Sequence, residues 1–275
     1  MSLDAYSPPQ VAERVEAFGI AKAHAPLLGT VMLGVLAGGF IGLGGLYYTV
    51  VTTSETTWHL LAGGLVFSTG YMLAILAGAE VFTSNNLLTM AWASRRLSGR
   101  RLLRNWSLVL VANGVGAAGL AALFTLSGLP AAQDGAVGTR AVEMAVDRAA
   151  LPWMQAFFLG VLGNLFVCLA VWVSMAGRSV TDKVVGTVLP LSALGALGLE
   201  HVAASLYFIP RGLMVAWLVP EAAAGLPPVA LAGAAVHIVA VTLGNIVGGS
   251  LMVALVYYVI YLRPGSDRSN RDIPG

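Results

Sequence analysis

The chain is 275 residues long, 57% hydrophobic and 10% charged, with a mean hydropathy of +0.82. Ordinary soluble domains carry roughly a quarter charged residues, so a water-soluble fold has no means of hiding this much apolar surface. A formal net charge of +2 without a basic, aromatic-interleaved patch excludes nucleic acid as a partner, and the single cysteine, Cys168, excludes a disulfide framework and a thiolate metal site.

At the N-terminus Asp4, Glu13 and Glu16 precede the first apolar run, which is not the order of a secretory signal, so the first span is expected to stay in the mature protein. Pro8-Pro9 opens a short helix with Val11, Val15, Phe18 and Lys22 along one stripe, expected to lie on the inner membrane face and orient the chain. Stretches 25–54, 105–133, 149–177 and 222–262 contain no Asp, Glu, Lys or Arg, and each exceeds the ~20 residues needed to cross the hydrocarbon core. Segments 56–93 and 184–218 are also long enough, but hold the acids Glu80 and Glu200. The expectation is an all-α integral membrane protein with six transmembrane helices, divided into an amphipathic helix (1–26), a channel domain (27–263) and a tail (264–275).

Arg95, Arg96, Arg100, Arg101 and Arg104 follow the second span and mark that loop as cytoplasmic. Both termini are then cytoplasmic, in agreement with Arg178 and Lys183 in the fourth-to-fifth turn and Arg263, Arg268 and Arg271 after the last span. The 133–148 loop, with Asp134, Glu143 and Asp147 against Arg140 and Arg148, is external.

The chain also repeats itself. Leu33-Gly34-Val35-Leu36 with Phe40 recurs as Leu159-Gly160-Val161-Leu162 with Phe166, Ala77-Gly78-Ala79-Glu80 as Leu197-Gly198-Leu199-Glu200, and Asn113-Gly114-Val115-Gly116 as Gly244-Asn245-Ile246-Val247-Gly248. Three spans separate equivalent positions, so the halves insert with opposite orientation, an inverted 3+3 repeat whose solute path lies at the repeat interface.

In the second span, Glu80-Val81-Phe82-Thr83-Ser84-Asn85-Asn86 places an acid and four polar side chains where an unbroken helix would meet lipid. This reads as a break, with Ser84, Asn85 or Asn86 capping a short second half-helix. Pro190, Gly195 and Gly198 before Glu200-His201 signal a matching break in the fifth span. Helix N-termini opened there would present free N–H groups and partial positive charge at the midplane, which favours an anion. Glu80 and Glu200 are assigned a scaffold role, accepting the loops' orphan N–H groups. His201, at the repeat interface beside a break, is assigned to the pore. His237, without a companion acid, is assigned to packing, as are Asn113, Asn245 and Cys168.

At these residues the chain resembles the formate/nitrite transporter family, and within it the formate channels. The resemblance is carried by Gly78-Ala79-Glu80-Val81-Phe82-Thr83-Ser84, Asn164-Leu165-Phe166-Val167-Cys168-Leu169-Ala170-Val171-Trp172, Gly177-Arg178-Ser179 with Asp182-Lys183, Glu200-His201 with Ile209-Pro210, and Gly244-Asn245-Ile246-Val247-Gly248-Gly249, and runs to about Arg263. It implies an aquaporin-like fold, a homopentamer with one pore per protomer in a bacterial inner membrane, and no catalytic residue, cofactor or metal. It also implies that His201 is the central pore histidine with Thr83 its neighbour, and that Phe67 and Leu194 form the outer constriction. Tyr71, Val81 and Phe82 would line the central and inner path, Asn164 would touch the solute, and Arg148 would draw anions into the outer vestibule. Ser205 would also line the path, and two pore positions depart from the family pattern: Ser205 stands where Asn is common, four residues after the histidine, and Leu194 where an aromatic often narrows the pore.

The expected function is passage of a small monovalent anion, formate first, with protons. An anion alone in an apolar constriction is costly, and an imidazole with an unperturbed pKa of about 6.5 is suited to neutralising it in transit. Nitrite, hydrosulfide and acetate compete within this class. A haem-binding membrane subunit is the reading from another class, and it needs paired histidines at matching depth on facing spans, where only His201 and His237 are deep. An intramembrane protease is disfavoured, because Ser205 lies one turn from His201 and no nucleophile elbow exists.

Overall fold

The computed structural model describes residues 5–54 and 56–263, all-helical apart from turns. Asp4, Arg268, Arg271 and the expected tail 264–275 lie outside the described residues. The helices are α1 (Pro8–Ala23), α2 (Leu27–Val51), α3 (His59–Leu76), α4 (Thr89–Ala93), α5 (Gly99–Leu126), α6 (Ala136–Ala150), α7 (Trp153–Ala176), α8 (Val180–Ala196), α9 (Val202–Leu218) and α10 (Leu231–Ile246). The last continues through wider, π-type turns, so that one helix runs from Leu231 to Leu262. With α2, α3, α5 and α7 it makes five helices long and apolar enough to cross a membrane among the described residues. Segment 184–218, expected as one interrupted span, is divided between α8 and α9.

Outward faces carry large apolar side chains such as Leu28, Val111, Leu126 and Trp217. In a multi-pass membrane protein this is the surface that lipid or a neighbouring copy covers.

Two short amphipathic helices cover opposite ends of the bundle. Helix α1 begins with prolines in its first turn, where their missing N–H groups cost nothing, and the Ser7 N–H donates to Gln10 Oε1 at 3.0 Å. Its Val11, Ala12 and Val15 pack on Leu87, Met90, Cys168, Trp172 and Val253, so its apolar stripe is spent on protein, and Phe18 sits at the exposed edge. The region expected as the 133–148 external loop is instead helix α6, whose Val137, Ala141, Val142 and Ala145 recur at helical spacing and are buried. It lies at the C-terminal end of α2, where Thr49 reaches Met144, whereas α1 lies at the N-terminal end of α2.

Helix α7 starts directly after α6 and ends beside α1, with the Tyr6 N–H donating to the Ala176 carbonyl at 2.9 Å. Helices α2 and α7 therefore traverse the bundle in opposite senses, as the repeated sequence requires. The halves interlock through α3 on α8 and α5 on α9.

Close approach depends on glycine at several crossings. A Cβ on Gly64 of α3 would fall on the Ser192 carbonyl oxygen of α8, which is backbone and has little room to give. Gly64→Val is expected to cost about 1–3 kcal/mol and to lower the thermal unfolding temperature of the purified protein; a melt superimposable on wild type would contradict this contact.

Candidate functional site

Both broken segments are built by the same local rules. Helix α3 ends at Leu76 and α8 at Ala196, and two residues later the chain turns through Gly78 (φ +69°) and Gly198 (φ +63°). This left-handed conformation penalises a Cβ, so glycine is required. The Ala79 and Leu199 N–H groups then close onto Ala74 and Leu194 carbonyls at 2.8 and 3.1 Å.

Beyond each turn the backbone is held by the other helices of its own half. The Glu80 N–H donates to the Leu33 carbonyl at 3.2 Å, and the Glu200 N–H to that of Leu159 at 3.3 Å. Asn113 Oδ1 accepts the Phe82 N–H at 2.9 Å while its amide donates to Gly34 and Glu80 carbonyls; Asn245 does the same for Val202, Gly160 and Glu200. Asn113 and Asn245, expected as packing residues, therefore pin the two breaks, supplying donors and acceptors that interrupted helices lack. Ser84, Asn85 and Asn86, expected as caps, are spent elsewhere: Ser84 on the Val81 carbonyl, Asn85 on Glu80 and Asn105, and Asn86 on Asn164.

The two carboxylates, expected to accept loop N–H groups, contact side chains instead. Glu80 accepts from Asn85 at 2.5 Å and lies 3.3 Å from the Lys22 ammonium of α1. Glu200 lies 3.4 Å from Arg148 of α6, accepts from Ser205 at 3.2 Å, and is 3.3 Å from His237. Burial lowers the Lys22 ammonium from its ordinary range, against the upward pull of Glu80. His237 thus has the companion acid that its own span lacks. The correspondence is position by position: a cation from the short helix, a carboxylate from the break, a polar residue one turn on, and a polar residue from α5 or α10.

Between these clusters, the side chains of the two breaks meet. Thr83 Oγ1 is 2.7 Å from His201 Nε2, and the Tyr71 hydroxyl is 2.6 Å from Thr83 and 2.5 Å from His201 Nε2. All three residues are buried. His201 also caps α9, its Nδ1 accepting the Ala204 N–H at 3.2 Å. With Nδ1 an acceptor, the neutral ring carries its proton at Nε2, facing Tyr71 and Thr83.

This polar contact separates two small cavities. One, of about 50 Å³, lies on the α1 side against Tyr71, Val81, Phe18 and Lys22. The other, of about 30 Å³, lies on the α6 side against Phe67, Leu194, His201, Arg148, Tyr48 and Phe208. Tyr71 and Val81 therefore line one cavity, Phe67, Leu194, His201 and Arg148 the other, and Thr83 lies in the contact that joins Tyr71 to His201.

Three residues expected along the path are not. Asn164 donates to Thr83 and Asn245 carbonyls and to Asn86, so its amide braces the breaks. Ser205 turns away from the imidazole edge toward Glu200 and His237. Phe82 packs on Trp106, Val109 and Val202. Sequence reasoning missed Lys22 as the partner of Glu80, and the aromatic wall of Tyr48 and Phe208. The equal spacing of Lys22 to Leu33 and of Arg148 to Leu159 was the available signal for the first.

The family model described as formate/nitrite transporter matches residues 9–259. The formate channel FocA of Escherichia coli (strain K12) is 37% identical over 273 residues, covering 94% of this chain and 96% of the relative. Formate channel FocB of the same organism is 32% identical over 266 residues, covering 92% and 93%. Among solved structures, one described as a pentameric formate channel with formate bound is similar with a TM-score of 0.80 and 33% identity, covering 86% of this chain and 98% of that one.

Proposed function

The chain belongs to the formate/nitrite transporter family, and from that premise we propose that it carries formate together with a proton through a pore whose central polar point is His201. The observation that carries this reading is the contact of Tyr71, Thr83 and His201 between two cavities, where side chains of both break segments meet.

On this reading the α6 side is the outer face and the α1 side the inner face, with six membrane crossings in an aquaporin-like arrangement. Both termini are cytoplasmic, residues 1–26 and 264–275 flank the channel domain, and the membrane is the bacterial inner one. Five copies assemble with one pore each, in keeping with the pentameric solved relative. Phe67 and Leu194 form the outer constriction and Arg148 borders the vestibule beyond them. Tyr71 and Val81 line the inner path, and Glu80, Glu200, Asn164 and Ser205 hold the breaks.

The chemistry follows from the cost of a bare anion among these side chains. Formate reaching the imidazole first accepts the Nε2 hydrogen bond in place of Tyr71 and Thr83. When the ring has gained a second proton at Nδ1, releasing the Ala204 amide, the Nε2–H bond breaks and an O–H bond forms on formate. The neutral acid crosses and gives its proton to water on the far side, while Nε2 takes a proton from hydronium on the entry side; this restores the imidazolium, the form in which each later cycle starts, and moves one proton with each formate. Flux therefore rises as pH falls, because both the imidazolium and the acid are more abundant.

An anion panel tests the reading. Proteoliposomes containing the purified chain are expected to take up formate faster than nitrite, hydrosulfide or acetate when each is present alone at equal concentration. Nitrite outpacing formate would move the assignment within the family, and no uptake of any of them would overturn it.

A further inference from the structure

Arg211 of α9 is fully buried and lies in the same apolar segment as Glu200, yet among the described residues no carboxylate comes within ion-pairing distance of it. Its guanidinium donates to Thr49 Oγ1, whose own hydrogen goes to the Gly45 carbonyl at 2.7 Å, and approaches Met144 Sδ at 3.5 Å. The rest of its shell is aromatic: the rings of Phe124, Tyr207 and Phe208 lie 5.1 to 5.4 Å from its central carbon, and its Nε has no hydrogen-bond partner. An unpaired cation taken out of water costs several times what one hydroxyl and three ring faces return. Folding alone gives no reason for it, because an unbranched apolar side chain would fill the same space.

Its position supplies a reason. Phe208 is a wall of the α6-side cavity, and the Arg148 guanidinium lies 4.4 Å from the centre of the same ring that Arg211 approaches. Two cations thus stand around one wall residue, and Glu200 offsets only Arg148. Arg211 is left as the uncompensated charge, 5.1 Å from the centre of a ring that walls the cavity and in surroundings where water and salt screen it weakly. Because it is buried within a single protomer, association with other copies does not alter its surroundings.

We propose that Arg211 is the fixed positive charge that makes the α6-side cavity favourable to monovalent anions, acting through the Phe208 wall without touching the solute. It is a positioning residue, and the inference rests on the reading that the passenger is an anion. Fluxes of labelled formate and nitrite through proteoliposomes that hold the full-length protein in one orientation, measured against concentration on each side, test it. Arg211→Met, apolar and of similar reach, is expected to raise the half-saturating formate concentration on the α6 side by about threefold to tenfold, with maximal flux and α1-side half-saturation unchanged. Arg211→Lys, which keeps the charge, stays close to wild type. If Arg211→Met does not assemble, Arg211→Gln, neutral and able to bond Thr49, is expected to show the same one-sided shift. A transporting wild type with unchanged half-saturation in the neutral variant, or an equal shift on both sides, overturns the inference alone. A wild type that carries neither anion overturns the transport reading and this inference with it.

Discussion

Replacing His201 with Asn lowers formate uptake at acidic pH by about 100-fold and leaves the residual flux indifferent to pH. Asn is the informative substitution because the residue has two tasks. Its Nδ1 caps α9 by accepting the Ala204 N–H, and a cap is a role Asn fills as well as His. Its Nε2 faces Thr83 and Tyr71 with an exchangeable proton, and Asn has no group that titrates near neutrality. The variant therefore keeps the break and loses the proton. His201→Phe removes both, and is expected to lose pH-dependent uptake together with some stability. Uptake into proteoliposomes between pH 5 and 8 checks the prediction; a His201→Asn profile that rises toward acid as steeply as wild type would rule out the imidazole as donor.

The second large effect is on stability. Glu200→Gln strands Arg148, whose side chain is 16% exposed, beside a neutral amide. Removing one partner of a buried pair costs about 3–5 kcal/mol, and the partial exposure of Arg148 places the expected loss near the lower figure. His237 and Ser205 retain polar contacts with the amide, so the uncompensated guanidinium accounts for most of the loss. Adding Arg148→Met to Glu200→Gln is expected to restore most of the unfolding temperature, because no charge is then left behind. A single variant as stable as wild type, or a double variant less stable than the single, would show that the pair does not hold the second break.

The sequence made the architecture legible because membrane solvation leaves few choices. Uncharged runs longer than a bilayer must cross it, and acids inside such runs must face protein or water. The repeat was visible for the same reason that the structure is symmetric: Gly34 and Gly160, Glu80 and Glu200, and Asn113 and Asn245 occupy equivalent hydrogen-bonded positions. The meeting of Thr83 with His201 was reached through family resemblance, and periodicity alone gave no warrant for it.

What stayed hidden were partners remote in the chain. The α6 region read as a loop because its charges drew attention away from the buried stripe of Val137, Ala141 and Ala145. His237 looked solitary because its acid, Glu200, comes from another helix. Asn164 and Ser205 were placed on the solute path by analogy with residues that stand close to the histidine; hydrogen-bond accounting directs their polar atoms into the scaffold instead. Arg211 drew no notice within its apolar run, since composition records one more cation and says nothing of where its counter-charge is missing.

Passage of formate together with a proton past His201 has a signature inside a sealed vesicle. Liposomes that contain the purified chain and a trapped pH-sensitive dye, given a formate gradient with no proton gradient and no membrane potential, measure it directly. Acidification of the lumen is expected to track formate uptake one for one and to disappear with His201→Asn. Formate accumulation accompanied by a charging current, with the luminal pH unmoved, would contradict it.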